Sequence, residues 1–187
     1  MILKIIIAFI IFLSPSTYVY SKELSKNDLS GLRILLFNST QNEDSLDSLF
    51  VFILDLSKTD VHKNPLLMAY KGAGNALLAK YSFFPWNKLS HLDDGLQLLD
   101  DAVKLDSTSL EIRFLRFSVL TNIPSFLGYS SEADAEAYVL YKMLKSASYK
   151  EDKALIQNVV RFLIDSERLN KNKQEDLIQI YNLVLKY

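Results

Sequence analysis

Residues 70–129 carry the clearest structural signals of this chain, and they read YKGAGNALLAKYSFFPWNKLSHLDDGLQLLDDAVKLDSTSLEIRFLRFSVLTNIPSFLGY. Two apolar patterns with helical spacing come first, and after a polar break at residues 105–108 a third helix, LEIRFLRFSVL, follows. Because small side chains let helices approach closely, this stretch predicts a helical hairpin followed by the first helix of another unit. The small residues at the expected helix contact are Gly72, Ala73, Gly74, Gly95 and Ala102.

The rest of the chain shows the same helical spacing. Asn64-Pro65 is a helix start, with an N-cap followed by proline at the first helical position, and that helix is predicted to reach Tyr81. The aromatic run at 83–86 interrupts the pattern, so Ser90 is the predicted start of the next helix. Thr108 with Glu111 predicts a capping box. Since no segment alternates with a period of two, we expect an all-α domain of about eight helices in antiparallel hairpins.

Composition limits the class of protein. The 187 residues fit one domain, or one domain plus a targeting segment, and a 49% hydrophobic fraction is enough for a core. A formal net charge of −1 argues against a nucleic-acid binder. Only 5 glycines and 4 prolines argue against a β-sandwich with many turns.

The first 21 residues differ from the rest and predict a secretory signal peptide. Lys4 supplies a positive charge, and residues 5–13 form an apolar run shorter than the roughly 20 residues that span a bilayer. Ser14-Pro15-Ser16 ends this run, and residues 19–21 offer a cleavage site. The predicted organisation is therefore a signal peptide at 1–21 and a single α-helical domain at 22–187. An uncleaved anchor or a buried N-terminal helix is the alternative.

The chain contains no cysteine. An exported protein without cysteine has no disulfides, and it has no thiol for a thioether-linked lipid. We therefore expect a periplasmic or secreted protein that is not a lipoprotein and has no stable membrane span once the signal peptide is removed.

The segment GLQLLDDAVKLDS, residues 95–107, resembles the second helix of a tetratricopeptide repeat. The family places a small residue, a large residue, an alanine and a helix-ending residue where this chain has Gly95, Leu99, Ala102 and Ser107. The preceding helix carries Tyr70, Ala73, Gly74 and Leu77 at the spacing of the family's first helix. The resemblance implies stacked helical hairpins, and repeats of this kind build scaffolds more often than active sites.

The chain departs from the repeat pattern in three places. SFFPWNKLSH lengthens the loop between the two helices, Ser107 replaces a proline, and Arg113, Arg116 and Phe117 stand in the next unit where aromatic, large and small residues are expected. The segments KYSFFPWNKL, LEIRFLRFSV and TNIPSFLGY are also similar to a group of uncharacterised exported proteins of Bacteroidota. That similarity implies export and a helical fold.

The residue patterns point away from catalysis and cofactors. His62 and His91 are the two histidines, and neither lies in an H-x-x-x-H or H-E-x-x-H frame that would predict zinc. Asp93-Asp94 and Asp100-Asp101 are adjacent pairs, and neighbours on a helix do not face each other. Gly72-Ala73-Gly74 follows no strand, so no nucleotide loop is predicted. We expect no catalytic, metal-binding or cofactor-binding residues.

Five residues are candidates for binding a partner. Arg113 and Arg116 lie three apart on an apolar helix, either as a clamp for a partner's carboxylate or as structural salt bridges to Asp100 or Asp101. Salt bridges on both arginines would rule out the clamp. The other three candidates, Phe83, Phe84 and Trp86, form either a lip that contacts a peptide or glycan or a plug that closes the hairpin over the core.

The preferred function is a non-catalytic, exported scaffold or adaptor that binds a protein or peptide partner in the cell envelope. A shallow concave groove without perturbed ionisable groups would favour it. One alternative is an envelope hydrolase, which a cluster of carboxylates with His91 in a deep pocket would favour. The other is a structural subunit of an envelope assembly, which a large exposed apolar patch would favour.

Overall fold

The structure, a computed structural model, describes residues 24–57, 61–146 and 152–186. The predicted signal peptide at 1–21 lies outside these residues. Within the described ranges the chain forms eight α-helices and two short 3₁₀ helices, at Val61–Lys63 and Ser125–Leu127, and no strand. The α-helices are α1 (Lys26–Ser39), α2 (Asp44–Ser57), α3 (Pro65–Tyr81), α4 (Pro85–Leu105), α5 (Leu110–Asn122), α6 (Ser130–Ser146), α7 (Lys153–Asp165) and α8 (Lys171–Lys186).

The helices pack as four consecutive hairpins, α1 with α2, α3 with α4, α5 with α6 and α7 with α8. The first helices of the hairpins also contact one another in series, α1 with α3, α3 with α5 and α5 with α7. This arrangement confirms the predicted all-α array of helical hairpins. It places the odd-numbered helices side by side, so that residues far apart in sequence share one surface.

Helix α3 has the predicted bounds because its start signal is complete. The Asn64 side-chain oxygen accepts hydrogen bonds from the backbone N–H groups of Leu66 and Leu67, at 3.0 and 3.1 Å. Pro65 occupies the first helical position, where its missing N–H costs no hydrogen bond. The residues at the start of α3 are therefore sufficient to predict where this helix begins.

The predicted start of α4 at Ser90 is wrong, because the helix begins at Pro85. Proline is as suitable at this first helical position as it is at Pro65, and the aromatic residues around it do not prevent helix formation. The turn between α3 and α4 is therefore residues 82–84. The long loop expected from SFFPWNKLSH is instead a short turn followed by the first turns of a 21-residue helix.

The predicted capping box at the start of α5 is also wrong. Ser109 is the N-cap, and its side chain accepts from the backbone N–H of Ile112 at 3.3 Å. Asp106 Oδ1 accepts from the backbone N–H groups of Thr108 and Ser109, both at 3.1 Å. Glu111 takes no part in a capping box and is instead buried in the protein.

Gly72 and Gly95 bring α3 and α4 into backbone contact, as the small residues predicted. A Cβ atom added at Gly95 would lie 2.7 Å from both the carbonyl oxygen of Gly72 and the backbone nitrogen of Ala76. Gly74 has a different role, since a Cβ there would meet the Phe50 ring of α2 at 2.9 Å. The glycines therefore fix the distances from α3 to two neighbouring helices.

Helix α5 joins the apolar clusters of the interior. Ile112 and Leu115 belong to the cluster built mainly by α1 to α4, while Phe117 belongs to the cluster of α6 to α8. Leu120 joins a third, smaller cluster with Leu92, Leu96 and Ala133. One face of α5 alone cannot bury this many side chains, so the helix is surrounded on several sides.

Candidate functional site

A groove of about 880 Å³ lies where α3, the first turns of α4 and the end of α5 meet. Helix α1 and the segment at 123–127 close its sides. Its volume falls in the range of natural ligand pockets, roughly 300–1,000 Å³. The apolar residues that line it are Leu36, Ala73, Ala76, Leu77, Ala79, Pro85, Leu89, Leu92, Val119, Ile123, Pro124, Phe126, Leu127 and Phe162.

The charge in the groove has one sign. Lys80 and Lys88 are the charged residues among the described residues that line it, and the lining includes no carboxylate. Lys80 donates to the backbone oxygen of Thr40 at 2.6 Å and lies over the Tyr81 ring. Lys88 is exposed and pairs with no carboxylate in the part of the chain that the structure describes. The groove is therefore apolar and electropositive.

Phe126 is an exposed aromatic residue that lines the groove, and Phe84 and Trp86 are the sequence neighbours of Pro85, which also lines it. Phe83 is 88% exposed, Trp86 65% and Phe126 83%, so the plug interpretation of the aromatic run is wrong. The Phe84 and Trp86 rings stack with their centroids 4.8 Å apart, and the Phe83 and Phe84 rings meet edge to face with centroids 5.2 Å apart. The early start of α4 places Trp86 in its first turn and Phe84 at its N-cap, and neither ring belongs to the apolar clusters of the interior.

The structure places Arg113 and Arg116 in an ion-pair network across α4, α5 and α6. Arg113 donates to the buried Glu136 at 2.8 Å and to the backbone oxygen of Ser107 at 2.7 Å. Arg116 donates to Asp100 at 2.7 Å, to Glu136 at 3.1 Å and to Glu132 at 3.2 Å, so all three of its nitrogens are used. Both arginines are held in salt bridges, so the carboxylate-clamp interpretation is wrong.

A second buried network, which the sequence reading missed, joins α1, α3, α5 and the start of α7. Glu111 accepts two hydrogen bonds from Arg33, both at 2.7 Å, and one from the Tyr70 hydroxyl at 2.6 Å. Arg33 also donates to Asp152 at 2.7 Å. The available signal was a lone arginine in the apolar run GLRILLF, since a cation among apolar residues needs a partner.

These contacts shift the ionisation of the groups involved. The hydrogen bond with Glu111 raises the pKa of Arg33 despite burial. Burial raises the pKa of Tyr70, and the charge of Glu111 adds to the effect. Burial opposes the charge of Arg116, but the carboxylates around it outweigh that cost and raise its pKa. Both networks connect helices of different hairpins.

Protonation of Asp152 and Asp176 is expected to destabilise the protein in acid. Burial opposes the charge of Asp152, but Arg33 and the Leu155 N–H hold its pKa below the ordinary 3.8. Hydrogen bonds from Tyr141 and Lys145 likewise lower the pKa of Asp176. A lowered pKa gives stability that is complete above the unfolded value and is lost as pH falls through the folded value. Urea unfolding should therefore show stability falling below about pH 4.

Asp152→Asn tests this pH dependence. Asparagine can still accept the N-cap hydrogen bond but loses the ion pair with Arg33. We expect a loss of under about 1 kcal/mol at neutral pH, because Asp152 is partly exposed. At a pH low enough to protonate Asp152 in the native chain, the variant and the native chain should be equally stable. Asp55→Asn, an exposed carboxylate on α2, is the control. A pH profile that Asp152→Asn leaves unchanged would contradict the assignment.

The two histidines are apart from the groove. His62 lies in the 3₁₀ helix at Val61–Lys63, and His91 is partly exposed on α4 without lining the groove. Among the described residues, no three histidine or carboxylate side chains are grouped so that they could share a metal ion. No helix in the same ranges combines the length and apolarity that a membrane crossing requires.

Comparison of the chain with protein-family models, curated proteins and solved structures gives no match.

Proposed function

We propose that this protein is a non-catalytic, exported scaffold or adaptor that binds a protein or peptide partner in the cell envelope. The observation that carries the proposal is the groove between α3, α4 and α5, with its apolar lining and exposed aromatic rim. Aromatic side chains are the usual anchors of protein interfaces, and here they are exposed beside a recess that apolar partner side chains can fill.

The ionisable groups of the interior support a binding role. The buried carboxylates Glu111 and Glu136 are each held by arginine, at distances of 2.7 to 3.1 Å. A hydrolase would need such a carboxylate to face substrate and exchange a proton, whereas these two hold hairpins together. The groove itself offers lysine, serine, threonine and asparagine side chains in an apolar surround.

The single tryptophan of the chain makes the proposal testable. Trp86 is 65% exposed and follows Pro85, which lines the groove, so a bound partner that covers the ring should shift its fluorescence to shorter wavelengths. The probe is a synthetic amphipathic peptide with leucine at helical spacings of three and four and glutamine on its polar face. Saturable binding to the mature protein is the expected result.

Phe126→Ala should weaken binding of this glutamine-faced peptide about tenfold, which is about 1.4 kcal/mol. Phe126 lines the groove and is 83% exposed, so its loss should leave the fold intact. Leu185→Ala removes a 59% exposed side chain from α8, which contributes nothing to the groove, and should change affinity less than about twofold. Absence of binding, or equal effects of the two substitutions, would overturn the proposal.

An envelope subunit would instead use the exposed apolar residues of the first hairpin, such as Ile34, Val51 and Leu54. None of these lines the groove. Changes in the groove would leave that contact intact, so the Phe126 experiment separates the two functions.

A further inference from the structure

We infer that the groove binds an amphipathic α-helix with carboxylates along the edge of its apolar face, which pair with Lys88 and Lys80. The inference rests on the proposed function and adds the conformation and charge of the partner. Both properties follow from the residues that line the groove.

A helix fits this site better than an extended peptide. One class of extended peptide gains affinity by adding a strand to a sheet edge, and the described residues form no sheet. Another class, proline-rich segments, binds grooves lined by aromatic side chains, whereas most side chains that line this groove are aliphatic. A helix is held by apolar side chains entering a groove between helices, at spacings of three and four. Ala73, Ala76 and Ala79 lie three residues apart on the α3 side of the groove, where small side chains leave room for a helix to approach.

The lining specifies the charge of the partner. Its two charged residues are both cationic, although the chain as a whole carries 22 acidic and 21 basic residues. The carboxylates nearest in sequence to Lys88 are Asp93 and Asp94, and neither lines the groove. Farther along α4, Asp100 pairs with Arg116 and Asp101 with Lys104. Lys88 is left exposed without a carboxylate among the described residues. A carboxylate on the partner would neutralise it, and a cation there would be repelled.

The positions of the two lysines also determine which side of a bound helix should carry the carboxylates. Lys80 is in the last turn of α3 and Lys88 in the first turns of α4, so both lie near the turn at residues 82–84. The lining contributed by Val119 and Ile123, at the end of α5, carries no charge. The carboxylates of a bound helix should therefore face the aromatic turn.

The test compares three peptides of identical leucine pattern whose polar faces carry glutamate, glutamine or lysine. At low ionic strength the glutamate peptide should bind the mature protein about fivefold more tightly than the lysine peptide, measured by Trp86 fluorescence. Added salt should reduce the difference, because exposed charges are screened. Lys88→Glu should reverse the preference, and Lys171→Glu, on α8 outside the groove, should preserve it.

Each outcome decides the inference. Equal binding of the three peptides would overturn the charge preference while the proposed function stands. Binding of none of them would overturn both. Oleate and vesicles of phosphatidylglycerol serve as competing anionic probes, and binding of either in place of the peptides would assign the groove to a lipid and overturn the helix. A preference for glutamate that Lys88→Glu does not alter would place the contact elsewhere and also overturn it.

Discussion

Glu111→Ala is expected to lower the free energy of unfolding by about 3 kcal/mol. The substitution leaves Arg33 with one carboxylate in place of two and leaves the buried Tyr70 hydroxyl without its acceptor. Removing one member of a buried ion pair costs more than the pair contributes, because the other charge remains away from water. Urea unfolding followed by far-ultraviolet circular dichroism measures the loss.

Two variants control for the loss of side-chain volume and charge. Asp101→Ala removes an exposed partner of Lys104 and should cost less than about 1 kcal/mol. The triple variant Arg33→Met, Glu111→Leu, Tyr70→Phe replaces the whole network with apolar groups, and it should be more stable than Glu111→Ala alone. If Glu111→Ala is no more harmful than Asp101→Ala, the buried network does not hold α1, α3 and α5 together.

Gly95→Ala is the second substitution with a large expected effect, a loss of about 2 kcal/mol. Alanine favours a helix over glycine by about 1 kcal/mol, so local propensity alone would predict a more stable protein. Its Cβ, however, would lie 2.7 Å from the Gly72 oxygen and the Ala76 nitrogen. Both are backbone atoms, so α3 and α4 must separate. Thermal and urea unfolding measure which effect is larger.

Gly74→Ala is the matched comparison for the Gly95 substitution. Gly74 is also buried in a helix, but a Cβ added there would meet the ring of Phe50, a half-buried side chain that can rotate away. We expect a change within about 1 kcal/mol of the native chain. If Gly74→Ala costs as much as Gly95→Ala, the backbone contact between α3 and α4 is not what makes Gly95 necessary.

The sequence predicted those elements whose signals are local. The bounds of α3 follow from Asn64 and Pro65, and the contact of α3 with α4 follows from Gly72 and Gly95. The aromatic run around Pro85 predicts an interruption, whereas proline suits the first turn of a helix, and α4 does begin at Pro85. Where two signals compete at one end of a helix, sequence alone does not rank them.

The candidate site was only partly predictable. Phe83, Phe84 and Trp86 were identified from composition, but their exposure depends on where α4 begins. The groove is assembled from residues as distant in sequence as Leu36, Ala76 and Ile123, and no local pattern relates them. Arg116 was recognised as needing a carboxylate, yet Glu132 and Glu136 on the following helix were not foreseen as its partners.

The helical character of the described chain and the close hairpin of α3 and α4 can both be inferred from local sequence signals. Periodicity, caps and glycines act within a few residues of one another, so they can be read along the chain. The packing of the hairpins, by contrast, determines that Glu111 and Glu136 are held by arginines in two networks, and that Lys80 and Lys88 line an apolar groove. Packing of four hairpins brings these residues together, and a side chain's environment depends on neighbours that the chain reaches only by folding.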